Sequence, residues 1–393
     1  MKTKTISKTE NKNIIDVVND FDCSTQREEY NKKFKEWRRR KDNPYAFNFR
    51  ENKKETVFND SRGFEKRSQV QEEKYAIRKI MYVIGVAMIM YMAFEHIFGK
   101  LIAEVLHLAG ASISVSMISN TLYGNTTEVV SLLMLVSVLK YAIPAVYIQC
   151  KLKTPSRVGF MLRVNNSAEI INSIGLTLIA CTLVCLPVAY SSDTTEIFEY
   201  FRSAENDEVD LWGQKEFVIY TIFTIVIFPI LSEVLIHGPI FAALRQFGDP
   251  FAIVVSTTFA CLITKNVTEV PAALIISVLS AAAMLRSGTI FTAIVVNIIY
   301  RMYYFTLIIF ETSDSANMLL RRNLFMLIAL VTGAFISGGI YLYRKLRKTR
   351  KPYIAHYNSE ITFAKRLTIA AKTFPFLAIA LVCVLEGILA LVV

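Results

Sequence analysis

The chain has 393 residues, of which 53% are hydrophobic and 12% aromatic, with a mean hydropathy of +0.39 and a formal net charge of +11. Apolar content this high excludes an ordinary soluble domain, and several apolar runs approach the roughly 20 residues that a helix needs to cross a bilayer. The excess of cations fits cytoplasmic loop faces and contact with anionic membrane lipid, and it argues against nucleic acid as a partner.

Residues 1–76 are charged and rich in Asn and Lys. They hold few apolar clusters, and no short basic segment leads into an apolar core with a small-residue cleavage site. A largely disordered or weakly helical cytoplasmic tail without a cleavable signal peptide is therefore expected. Its marked features are the run Arg38-Arg39-Arg40-Lys41 and the aromatic patch Tyr45 to Phe49, which suit a solvated tail, an anionic membrane surface or a docked partner.

Apolar periods then place crossings near 77–98, 127–150, 168–190, 215–247, 250–267, 269–286, 288–310, 322–343 and 367–392. The fold class read from this is all-α, a polytopic membrane protein of about eight or nine transmembrane helices. Its expected organisation is the tail 1–76, a first transmembrane helix with an outer loop over 77–126, a helical core over 127–345, and a basic loop with a C-terminal helix over 346–393.

Loop cations set the orientation. Lys151, Lys153, Arg157 and Arg163 follow the second run, Arg245 and Arg286 end the fourth and sixth, and Arg344, Lys345, Arg347, Lys348, Arg350 and Lys351 crowd the 344–366 loop. All lie on one side if the N-terminus is cytoplasmic. The opposite side receives Ser191 to Asp210, which carries Asp193, Glu196, Glu199, Glu205, Asp207, Glu208 and Asp210 against the single cation Arg202; Arg321-Arg322 is the exception, and Val393 falls outside.

The six cysteines form no CxxC pair and no Cys/His cluster of zinc-finger spacing. Cys150, Cys181, Cys185, Cys261 and Cys383 read as small core residues, and Cys23 belongs to the tail.

The fourth run contains Phe228 to Phe247, FPILSEVLIHGPIFAALRQF, which sets Glu233 and His237 at i and i+4 of one helix face inside an apolar stretch. Ionisable groups at membrane depth are functional-site candidates, because charge in hydrocarbon costs a few kcal/mol or more. The plainer alternative is a histidine that bonds a backbone carbonyl. Pro229 removes an amide one turn before Glu233, and Gly238-Pro239 follows His237, so kinks should bracket the pair. At 1.5 Å per residue the run from Lys215 to Phe247 spans about 50 Å, more than the roughly 30 Å slab, so the helix must tilt or kink.

Few other polar residues interrupt the apolar runs: Asn297 and Arg301, again at i and i+4, Lys140 in the second run, and Glu95 with His96 in the first. Glu233 and Arg301 each lie about 20 Å from the inner ends of their helices, so an ion pair between them is expected, the alternative being that Arg301 snorkels outward past Tyr303 and Tyr304.

These stretches resemble the CPBP intramembrane proteases, the CAAX-processing and bacteriocin-processing or Abi family. That family carries EExxxR on a kinked helix, FxxxH on the next, and HxxxN or HxxxD two helices later, after a small-residue turn like Ser287-Gly288. Here the corresponding positions are Ser232, Glu233 and His237, then Phe259 and Ile263, then Asn297 and Arg301, and the likeness covers roughly 127–345. The resemblance implies a CPBP-type helical core and a centre in which glutamates activate water while histidines and an Asn or Asp complete a polar, metal-binding set.

This chain departs from that pattern. Of the implied set Glu233 alone keeps its residue type, with Ser232 for the first Glu, His237 for the Arg, Ile263 for the second-motif His, and Asn297 and Arg301 for the third-motif pair. A catalytic zinc needs about three protein ligands, and the four histidines are His96, His107, His237 and His356, so no metal and no other cofactor is expected. The sequence favours a pseudoprotease that acts as a scaffold or regulator of a membrane or envelope protein partner, with Glu233, His237, Asn297 and Arg301 as candidate site residues. The alternative is an active CAAX-type or bacteriocin-processing endopeptidase with a rearranged Glu/His site, for which zinc would enter. A transporter lacks the internal repeat that would support it. The Asn/Lys/Ile-rich composition suits a low-GC bacterium and thus the plasma membrane.

Overall fold

The computed structural model describes residues 14–19, 21, 26–52, 58–59, 63–64, 68–115, 122–185, 214–264, 269–311, 317–347 and 359–392. The acidic segment Ser191 to Asp210, Cys23, His356, and Lys348, Arg350 and Lys351 of the basic loop lie outside these residues.

Seven helices are long and apolar enough to cross a membrane, or eight if one bent pair counts as a single span. In chain order, after the short α1 (Glu28–Arg39), the long helices are α2 (Gln69–Leu108), α3 (Thr126–Lys151), α4 (Ser167–Cys185), α5 (Lys215–Phe247), α7 (Val270–Ser287), α8 (Ile290–Glu311) and α9 (Met318–Arg347), with the shorter α6 (Asp249–Leu262) between α5 and α7. The bent pair is α10 (Phe363–Ala371) and α11 (Phe374–Val392), broken by 74°. The protein is a polytopic helical membrane protein, as composition required. Two of the nine expected runs fall short of a straight crossing. Helix α6 has 14 residues, about 21 Å against a slab of roughly 30 Å, and the last run bends at Lys372-Thr373 just before Pro375.

The first and last long helices, α2 and α11, pack together, and α2 also lies on α3. Helices α4 and α9 make the most intimate pair because Gly175 faces Gly333: a Cβ on Gly333 would stand 2.6 Å from the Gly175 carbonyl oxygen, so neither position tolerates a side chain without parting the helices. The segment Phe228–Leu235 of α5 is held between α3 and α8.

The charged N-terminal segment departs from the expectation of disorder over its described residues. Strand β1 (Ile14–Asp16) pairs antiparallel with β2 (Arg50–Asn52), and α1 buries Phe34 and Trp37 in one hydrophobic core shared with the membrane helices. Tyr30, Phe34 and Trp37 form a short helical stripe that polar neighbours obscure in the sequence. The basic run is divided in two. Arg39 and Arg40 stay at the surface, whereas Arg38 is fully buried and donates to the carbonyls of Phe47 (3.0 and 2.6 Å) and Val17 (3.2 Å). The aromatic patch docks on the chain's own core: the Phe47 amide donates to Gln246 Oε1 at 2.7 Å, and Trp37 Nε1 donates to the Leu152 carbonyl at 3.0 Å. The segment folds because it borrows a core from the helices beneath it, a contact that no local periodicity announces.

The end of α5 is where these parts meet. Arg245 Nε donates to Asp249 Oδ1 at 2.7 Å with both side chains wholly buried, and the Arg245 guanidinium lies 5.3 Å from the centre of the Tyr30 ring. From the C-terminal side, Arg366 Nη1 donates to the Phe247 carbonyl at 2.5 Å.

Candidate functional site

Helix α5 is irregular on both sides of its polar pair. A π-helical turn over Phe223–Ile227 runs directly into Pro229, which has no amide to donate, and a second over Ile236–Ile240 contains Gly238 at φ −85° and ψ −113°, outside helical space. Gly238 is required there: a Cβ would come within 2.8 Å of Phe160 Cε1. A π-turn before Pro229 and a break at Gly238 thus flank the pair, where proline and glycine placement implied irregularity.

Glu233 is 4% and His237 2% exposed. His237 Nδ1 is hydrogen-bonded to Glu233 Oε2, and Asn297 Nδ2 of α8 donates to Glu233 Oε1 at 3.0 Å. The carboxylate is therefore held by its own helix through one oxygen and by α8 through the other. With Nδ1–H donating to the carboxylate, neutral His237 presents Nε2 as an acceptor, and this atom is buried with no hydrogen-bond partner among the described residues. Glu233, His237, Asn297 and Arg301 line one cavity of about 330 Å³.

The expected ion pair between Glu233 and Arg301 does not form. Asn297 sits one turn nearer along α8 and takes Oε1, while His237 takes Oε2, so both carboxylate oxygens are engaged. The Arg301 guanidinium lies 5.2 Å from the centre of the Phe228 ring and 5.9 Å from that of Tyr300. Two aromatic faces thus replace a counter-ion, as befits a weakly hydrated planar cation.

A second pair at the cavity was legible only as separate residues. Lys140 of α3 bonds Glu95 of α2 at 3.1 Å, with side chains 12% and 10% exposed, and the Tyr91 and Tyr141 hydroxyls meet beside it at 3.3 Å. A cation in one apolar run and an acid in another were the available signal; which helices become neighbours was not. His96, next in sequence to Glu95, pairs instead with Glu386 of α11 at 2.7 Å.

The residues at the family-motif positions do not fit a metal. Ser232, in place of the first glutamate, donates to the Pro229 carbonyl of its own helix at 3.1 Å, and Ile263 presents an alkyl side chain to the cavity. Among the described residues no group of three His, Cys, Asp or Glu side chains could hold a metal ion. Glu233 with His237 offers two ligand types where about three are needed.

Comparison with known proteins bears on this segment. No curated protein and no solved structure matches the chain. Residues 214–303 match the Rce1-like family model, described as Type II CAAX prenyl endopeptidase Rce1-like. That stretch runs from the start of α5 to beyond Arg301 and so contains every motif position discussed above. The resemblance to the CPBP intramembrane proteases is borne out over this segment, which is similar to the Rce1-like CAAX endopeptidases and supplies most of the residues that line the cavity.

Proposed function

We propose that this multi-pass membrane protein uses the CAAX-endopeptidase framework without its hydrolytic centre, and serves at the plasma membrane as a scaffold or regulator of a membrane or envelope protein. The observation that carries this reading is the donor set at the kink. Both oxygens of Glu233 are committed to Asn297 and His237, and Ile263 sets an alkyl wall where the family pattern has histidine. A water or metal at this centre would meet one free nitrogen, His237 Nε2, rather than a ligand cage.

One observation favours the second reading, an active endopeptidase with a rearranged site. Glu233 orients the imbedded imidazole through Nδ1 and leaves Nε2 at the cavity, the arrangement a general base needs, and the Arg301 guanidinium is the available group to polarise a carbonyl. The Glu233→Gln substitution separates the two. On the scaffold reading, the variant at normal abundance retains both the partner that co-purifies from cross-linked membranes and its cellular effect; loss of the effect with the complex intact would establish the peptidase. The scaffold reading also expects no stoichiometric zinc, and one zinc per chain, lost in Glu233→Ala, would overturn it.

The N-terminal segment and the basic loop are assigned to the cytoplasmic side on the strength of the loop cations. A cysteine introduced at Asn206 should react with an impermeant reagent in intact cells, and reaction only after permeabilisation would reverse the assignment.

A further inference from the structure

The cations around α1 gather at a second, smaller cavity, of about 120 Å³, between α1, the segment Phe160–Arg163 and the α7–α8 junction at Gly288. Among the described residues four cations line it, Arg27, Lys33, Arg157 and Arg163, together with one carboxylate, Glu29. That carboxylate is divided among three of them. Its Oε1 takes Arg157 at 2.7 Å and Lys33 at 3.5 Å, and its Oε2 takes Arg163 at 2.8 Å. Arg27 donates to the Val164 carbonyl at 2.8 Å, a neutral partner, and among the described residues it has no ion pair. One acid for four cations in a concave site leaves an excess of positive charge that solvent or a ligand must balance.

The place of the cavity narrows the ligand. It sits at the ends of membrane helices, beside the end of α3, the start of α4 and the α7–α8 turn, and besides Gln26 and Tyr30 its wall includes the apolar Phe160, Met161 and Leu162. Leu162 is 63% exposed, so a large apolar side chain projects outward directly beside the basic cluster. Arg157 and Arg163 are themselves 60% and 63% exposed and so remain accessible from outside. A cationic hollow with an exposed apolar rim at the level of helix ends fits a phosphate group joined to an acyl chain better than a freely soluble anion. Arginine forks recognise phosphate oxygens in pairs, which two neighbouring guanidiniums can supply.

We infer that the cavity between α1 and Gly288 binds the phosphate headgroup of an anionic phospholipid through Arg157, Arg163, Arg27 and Lys33, with Glu29 as the internal competitor that the headgroup displaces. The site is separate from the Glu233 cavity, and the inference holds whichever function that cavity serves.

Native mass spectrometry of the detergent-purified full chain, with phosphatidylglycerol and phosphatidylcholine as probes, tests it. One phosphatidylglycerol should be retained in preference to phosphatidylcholine, and the double substitution Arg157→Gln with Arg163→Gln should weaken retention roughly thirtyfold. Glu29→Gln, which removes the competing carboxylate, should bind the same lipid more tightly, a gain that a folding defect cannot imitate. Equal retention of the two lipids, unchanged retention in the double variant, or no gain in Glu29→Gln would overturn the inference. Displacement of the lipid by millimolar inorganic phosphate would assign the site to a soluble anion and overturn the lipid.

Discussion

Two buried polar clusters lie about three turns apart, one within α5 and one where α5 meets α6, and they solve the problem of burial in opposite ways. At Arg245–Asp249 the guanidinium is gripped by a carboxylate, an aromatic face and the sulfur of Met161, and neither Arg245 nor Asp249 lines the two cavities described above. At Glu233–His237 the carboxylate is equally well held, yet the cluster keeps a nitrogen without a partner among the described residues and opens on a cavity of about 330 Å³. The first arrangement uses its polar groups to lock the N-terminal segment, α5 and α6 together. The second leaves hydrogen-bonding capacity for something else, which is what separates a candidate site from a structural ion pair.

The sharpest way to break this comparison is to remove one partner of the first cluster. Asp249→Ala should strand the Arg245 charge and destabilise the protein by about 3–5 kcal/mol, while Arg245→Met with Asp249→Leu should recover most of the loss. Thermal unfolding in detergent measures both, and a small loss in the single variant would mean that water reaches the arginine.

Docking of the N-terminal segment comes next in size. Arg38→Met leaves the Phe47 and Val17 carbonyls without their charged donor and should cost about 2 kcal/mol, visible as faster proteolysis between α1 and β2. Unchanged proteolysis would mean that the segment is held from elsewhere.

Within the cavity the effects are smaller but more discriminating. The losses from Glu233→Gln and Asn297→Ala should couple by about 1 kcal/mol, because the two side chains meet, whereas Glu233→Gln and Arg301→Gln should add to within about 0.5 kcal/mol. Strong coupling of the second pair would restore the direct ion pair that the structure replaces with aromatic contacts.

The smallest expected effect is one of pH at the surface. Arg163 beside Glu29 holds its carboxyl below the ordinary value of 4.5, helped by hydrogen bonding and charge from Lys33 and by the charge of Arg157. A depressed acid stabilises the folded form above its unfolded value and loses that contribution as pH falls through the folded one. The contact of α1 with Arg157 and Arg163 should therefore loosen only on acidification below pH 4.5. Trp37 fluorescence in a Trp212→Phe background would follow it, and a transition near neutrality would point to a different group.

Much of the site was written in the sequence, because its determinants are local. The spacing of Glu233 and His237, the flanking Pro229 and Gly238, and the i, i+4 placement of Asn297 and Arg301 follow from helix geometry alone, and apolar run length alone made the chain a polytopic helical membrane protein. Tertiary structure decided who meets whom. Asn297 rather than Arg301 reaches Glu233 because the rotation of α8 against α5 is set by packing, and Lys140 finds Glu95 because α2 and α3 lie side by side. The N-terminal segment folds for the same kind of reason. Its apolar residues are too few to build a core alone, and their partners in α3 and α5 stand more than a hundred positions away, beyond the reach of any local pattern.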